Sequence, residues 1–192
     1  MIDFNQALKF AKFLPGEGYS KYWEKFNNEG IKIKKLEFLQ TYDFIDGNED
    51  FKNKNYDKFV EMLKDFDKIS AGGKDNIKRI HYIEEPLNEY LEMEYYTYLI
   101  NAKYGQKVRI TKDRKLFPEK VYDFVLFENG NLFLLDFGNN DTWKGAWHIT
   151  DKKIIKEFSN WFDEIFSKSE DFKNMLSPNP IIIQKMKESG IL

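Results

Sequence analysis

The stretch from Gly73 to Asp136 constrains the fold most, because it sets a carboxylate-bearing aromatic helix beside two apolar strands that each carry an aspartate. From Pro86 to Tyr104, Leu87, Tyr90, Leu91, Glu94, Tyr98 and Ala102 fall on one side of a helical wheel. Pro86 suits the first turn, where a missing N–H costs nothing, and Gly105 suits the stop. Tyr122–Phe127 and Leu132–Phe137 then read as strands joined by Glu128-Asn129-Gly130-Asn131, a hairpin signal. A carboxylate in the middle of an apolar stripe needs a partner, since an isolated buried charge is too costly to keep. Function is expected in this segment.

The flanking sequence fills in the architecture. Residues 3 to 14 read as a short helix with Phe4, Leu8, Ala11 and Leu14 on one face, and Tyr19, Tyr22, Trp23 and Phe26 mark a second. Ile31-Lys32-Ile33-Lys34 alternates like a strand and continues through Leu36, Phe38 and Gln40 after one slip of phase. Tyr56, Phe59, Val60, Leu63 and Phe66 repeat at helical spacing, with a stop at Ser70-Ala71-Gly72-Gly73 after the polar Asp46 to Lys54 loop has set the helix off. Ile77–Tyr82 is a strand with Ile77, Arg79 and His81 on one face and Lys78, Ile80 and Tyr82 on the other, neither face purely apolar. Lys107–Ile110 is another strand. A last amphipathic helix starts at Thr150-Asp151 and turns Ile154, Phe158, Trp161, Phe162 and Ile165 inward. Ser177-Pro178-Asn179-Pro180 separates a C-terminal tail, 177–192, from a single domain, 1–176. Helices first, strands in the middle and a helix last imply an α+β domain with a mainly antiparallel sheet covered by helices.

Composition narrows the function classes. A chain of 192 residues that is 42% hydrophobic, with 18 Phe and 11 Tyr, can build one large aromatic core. The formal net charge of −2 gives the molecule no general attraction to nucleic acid or to anionic membrane. With no cysteine, disulfides, thiolate metal sites and a cysteine nucleophile are excluded. No apolar run approaches a membrane span and no leader is visible, so a cytoplasmic protein without membrane association is expected.

Glu94 is the first candidate for chemistry, as either a structural partner of Arg79, Arg109 or a tyrosine hydroxyl, or a functional acid. Glu94, Asp123 and Asp136 together have the layout of a restriction-nuclease-like site, in which carboxylates hold Mg²⁺ and a lysine two residues after the last acid assists the attacking water. That position is Gly138, and Lys144 is the nearest substitute. In the bland reading the two aspartates cap strand ends or bond turn amides, and no cofactor is needed. His81 and His148 stand far apart without a supporting motif, and Gly72-Gly73-Lys74 lacks P-loop spacing. For binding, Arg79, Tyr90, Tyr96, Arg109 and Trp143 are the candidate contacts, Trp143 from the polar loop that begins at Asn139-Asn140-Asp141. The basic segment from Lys103 to Lys120 could take a nucleic-acid backbone.

The run from Gly73 through Arg79, Pro86-Leu87, Tyr90 and Glu94, followed by Asn101 and Gly105, the Asp123–Phe127 strand and Thr150-Asp151, resembles an uncharacterised bacterial domain family. The likeness covers about residues 70–168. Members of that family often sit beside helix-turn-helix regulators. The resemblance implies a regulatory, toxin–antitoxin-like or mobile-element role with a protein partner. On this reading the chain is a non-catalytic binding or regulatory accessory protein. Two alternatives are a metal-dependent nuclease or phosphodiesterase and a phage-type inhibitor of a host defence system.

Overall fold

The computed structural model describes residues 2–41, 48–71, 76–138 and 142–192. The helix stop at Gly72-Gly73, the start of the Asp46 loop and the run Asn139-Asn140-Asp141 lie outside these residues. The described elements are α1 (Phe4–Leu8), β1 (Ala11–Pro15), α2 (Gly16–Asn28), β2 (Ile33–Glu37), α3 (Asn48–Lys52), α4 (Tyr56–Ala71), β3 (Ile77–Tyr82), α5 (Glu89–Lys103), β4 (Lys107–Thr111), β5 (Phe124–Phe127), β6 (Asn131–Asp136), β7 (Gly145–Ile149), α6 (Lys152–Lys168), β8 (Glu170–Asp171) and α7 (Pro180–Glu188).

Among the described residues, eight strands form one sheet in the order β1-β7-β6-β5-β2-β3-β4-β8. The hairpin expected at Gly130 is present, with Phe124 opposite Leu134. The sheet as a whole, however, is mixed and not mainly antiparallel, although most neighbouring pairs are antiparallel. β2 with β3, and β3 with β4, run parallel. The cause lies in the connections: helical segments join β2 to β3 and β3 to β4, and a crossover through a helix returns the chain to the same end of the sheet.

Strand alternation sends two apolar sets to opposite faces. Ile33, Ile77, Val125, Phe127 and Phe133 pack under α2, α4, α5 and α7. Leu36, Ile80, Phe124, Leu126, Leu134 and Ile149 pack against α1 and α6. Helix α6 carries its inner stripe as expected, and the Asp151 side chain caps its first turn by accepting from Lys153 and Ile154 amides. Helix α5 is buried nearly all round and lies across the sheet in contact with α3 and α4. Its cap is Asn88, whose Oδ1 accepts from Leu91 N at 2.9 Å, so Pro86 precedes the helix and does not begin it. At its other end Gly105, at φ +87, lets Gly105 and Gln106 amides return to Ala102 and Asn101 carbonyls.

Three further expectations change. Residues 11–15 leave the first helix and form the edge strand β1, antiparallel to β7. Gly145 permits that approach, since a Cβ there would come within 2.2 Å of Leu14 O. The end of the polar loop that carries Trp143 is the strand β7, Gly145–Ile149, between β1 and β6. The segment from 177 onwards folds back as α7, burying Ile182, Met186 and Ile191 in the core. Its polar and charged residues diluted the apolar signal that tertiary packing uses. Among the described residues no helix is long and apolar enough to cross a membrane.

Candidate functional site

Where β2 and β3 run parallel, their last residues stand side by side, Lys35 beside Arg79 and Glu37 beside His81. These four share a face with Ile33 and Ile77, beneath α5, so they sit in the interior. Glu37 is 4% exposed, His81 0% and Glu94 6%. Lys35 Nζ lies 2.5 Å from Glu37 Oε1, and Arg79 Nη1 lies 3.2 Å from Glu37 Oε2. The Arg79 guanidinium also lies over the Tyr98 ring, 5.5 Å from its centroid. Arg79 Nε has no hydrogen-bond partner among the described residues, and Glu37 Oε2 meets Arg79 as a charge contact without hydrogen-bond geometry.

His81 extends the cluster towards the end of the sheet. Its Nε2 is 3.0 Å from Leu39 O, and its Nδ1 bonds the Tyr98 hydroxyl. A carbonyl can only accept, so Nε2 carries the proton and Nδ1 receives the one on Tyr98. The Tyr98 oxygen is then left to accept, and both Arg79 and Glu94 reach it.

Asp123 closes the network from the other side. Its Oδ1 accepts from Phe38 N at 2.8 Å and Leu39 N at 3.3 Å, and so fixes the carbonyl that holds His81. Gln40 ties the same segment down: its Nε2 donates to Phe38 and Tyr82 carbonyls and its Oε1 accepts from Glu84 N, each at 2.9 Å. Its own carbonyl accepts from Asn88, the residue that caps α5. A continuous polar chain therefore runs from Asp123 on the hairpin to Glu94 on the central helix.

The charges are unequal in their setting. Burial alone would raise the Glu37 carboxyl, but Arg79 and Lys35 outweigh it and hold the group down at about 2. Burial lowers His81 against the pull of Glu37, which keeps the imidazole neutral. Glu94 goes the other way: burial, reinforced by the nearby Glu37 charge, raises it despite Arg79. A group whose folded pKa is raised contributes stability below its unfolded pKa and loses it as pH rises through the folded value. The Glu94→Gln protein, which mimics the protonated acid, is therefore expected to gain on the wild type in chemical denaturation as pH rises above about 4.5. A loss of more than about 1 kcal/mol for this variant at mildly alkaline pH would contradict the assignment.

The sequence candidates separate in space. Glu94, Arg79 and Asp123 belong to the network, and Tyr90 is buried beside Glu94. Asp136 shares the opposite face of the sheet with Leu132 and Leu134; its carboxylate accepts from Gly138 N and Trp147 Nε1. The structure thus does not bring Glu94, Asp123 and Asp136 together, and among the described residues no three His, Asp or Glu groups are placed to hold a metal. Lys144 is exposed, and its main-chain N–H bonds Asp136 O. Tyr96 is not a surface contact: it is 2% exposed and its hydroxyl accepts from Asn179 N. Trp143 is half-buried against Tyr19 and Phe137. Arg109 donates to the Phe166 and Ser169 carbonyls at the end of α6, not to Glu94.

In the Lys103–Lys120 segment part of the basic charge is engaged, while Lys107, Lys115 and Lys120 are exposed. Lys103 bonds Asp67 and Ile191 O, Lys112 bonds Glu85, and Arg114 donates to the carbonyls of Phe117, Pro118 and Glu119. Sequence reading missed Lys35 and Glu37 and gave Tyr98 no more than a place on the wheel. The available signal was the mixed face of β3, which carries Arg79 and His81 beside Ile77.

Among curated proteins none matches this chain. One solved structure of similar shape is that of TrmBL2, an archaeal chromatin protein whose structure is described as showing a novel mode of DNA binding; it is 14% identical, with a TM-score of 0.40. The match covers 84% of this chain and 53% of that one, so this chain spans about half the length of that protein. The family model of a domain of unknown function, DUF6879, matches residues 20–177, which contain the whole polar network from Lys35 to Asp123. The chain belongs to the DUF6879 family.

Proposed function

We infer that this protein is a non-catalytic binding module, an accessory of a regulatory, toxin–antitoxin-like or mobile-element system, that meets a protein partner through its surface. The observation that carries this reading is how the acids are used. Asp123 holds the Phe38 and Leu39 amides, Asp136 holds Gly138 and Trp147, and Glu94 lies inside the Arg79–Tyr98 cluster. Each carboxylate serves the scaffold, and a hydrolytic metal centre needs several of them converging with free lone pairs. The system to which the module belongs rests on the family resemblance alone.

Thermal melting with Mg²⁺ or Mn²⁺ tests the reading. Neither ion is expected to raise the melting temperature of the wild type more than that of Asp136→Ala. A specific ligand at a hundred times its Kd would stabilise the fold by about 2.7 kcal/mol. A stabilisation of that order, lost in both Asp123→Ala and Asp136→Ala, would replace the binding reading with a metal-dependent hydrolase.

A further inference from the structure

The two edges of the sheet are built differently. β8 is only Glu170–Asp171, short, acidic and exposed, a form that discourages further strand pairing. β1 spans five residues, pairs with β7 on one side, and among the described residues has no strand on the other. Around it lie the most exposed aromatic rings of the fold's α1 side: Phe10 is 54% exposed and Phe13 38%, with Phe13 set 5.0 Å from half-buried Trp147. Free backbone donors and acceptors beside an apolar strip are a template for an added strand.

The charge on this edge selects what can add to it. Among the described residues exposed Lys12 is in no ion pair, and exposed Lys9 bonds Gln6. Along β1 the faces alternate, with Ala11 and Phe13 towards α1 and Lys12 and Leu14 towards the other side. A second copy of this chain would bring another Lys9 and Lys12 to the same seam, and like charges across paired strands repel. Lys12 thus guards against self-pairing and favours an acidic guest.

We propose that β1 is a docking edge for an extended segment of a partner protein in which acidic and apolar residues alternate, the acids facing Lys12 and the apolar residues extending the Phe13–Trp147 strip. The guest becomes the ninth strand of the sheet. Beyond Pro15, which has no N–H to offer, the edge opens into a hollow of about 770 Å³ bounded by Gly16 and Trp143 and by the mixed charges of Glu17, Lys21, Glu24 and Lys144, with room for the side chain that follows the paired residues. The proposal rests on the binding reading above and gives it a site and a partner chemistry.

The test is a titration of the whole chain, followed by amide chemical shifts, with a short peptide of alternating glutamate and valine and a control of alternating lysine and valine. The acidic peptide is expected to shift the amides of residues 10–15 and to bind about tenfold more tightly than the control. Lys12→Glu should reverse that preference, and Phe13→Thr should weaken the acidic peptide while leaving the melting temperature within a few degrees. Equal binding of the two peptides, no binding, or shifts elsewhere on the fold overturns the proposal. So does a dimer in solution that Phe13→Thr dissociates, because the edge is then taken by a second copy. Failure here leaves the metal titration unchanged, whereas a metal-dependent result there removes the binding reading itself.

Discussion

Arg79→Met is expected to cost about 3–5 kcal/mol of folding stability near neutral pH, measured by urea denaturation, because it leaves Glu37 charged and buried with Lys35 alone. Methionine keeps the length and packing of the side chain, so the loss reports the charge. The pH dependence makes the assignment specific. In the wild type the Glu37 carboxyl is lowered from 4.5 to about 2, which corresponds to about 3 kcal/mol of stability. A lowered carboxylate contributes fully above its unfolded pKa and loses that contribution as pH falls through the folded one. The gap between wild type and Arg79→Met should accordingly be widest near neutral pH, where Glu37 is charged in both proteins, and should shrink as pH falls towards 2. A gap that stays constant across this window would mean that Arg79 acts through packing and not through Glu37.

Asp123→Ala should cost about 2–4 kcal/mol, since it strips a buried charged acceptor from two backbone amides at once. Its second signature is local. Without Asp123, Phe38 and Leu39 are held only by neighbours such as Gln40, and the carbonyl that orients His81 is released. Hydrogen exchange at residues 38 and 39 should accelerate more than exchange in α6, which lies on the other face. Asp123→Asn retains an acceptor and should recover more than half of the stability. Equal losses in Ala and Asn, with residues 38 and 39 no more labile than α6, would show that the Asp123 side chain does not anchor that segment.

How much of this could be read from residues alone varies with the range of the interaction. Helices α4 and α6, the Gly130 hairpin, β3 and β4 were legible because an apolar period or a turn residue lies within a few positions. Glu94 was legible as buried for the same reason, since the wheel needs only the neighbours on its own helix. β1 was not, because Phe4, Leu8 and Ala11 happen to keep helical spacing across a boundary that pairing with β7 sets. The direction of β2, β3 and β4 was not legible either. It depends on where the crossover helices deliver the chain, and no local pattern encodes that.

The functional candidates divide along the same line. Sequence alone determined that Glu94 lies inside and must be satisfied, and that the β3 face carrying Arg79 and His81 is mixed. Tertiary structure alone decided which charges meet. It drew Glu37 and Lys35 from a strand more than forty residues away, turned Asp123 to the covering segment, and sent Asp136 to the opposite face. It also left β1 as the open edge. The physical reason is that burial is signalled by the period of a single element, whereas the partner of a buried charge is fixed by the register and order of strands that only long-range pairing brings together.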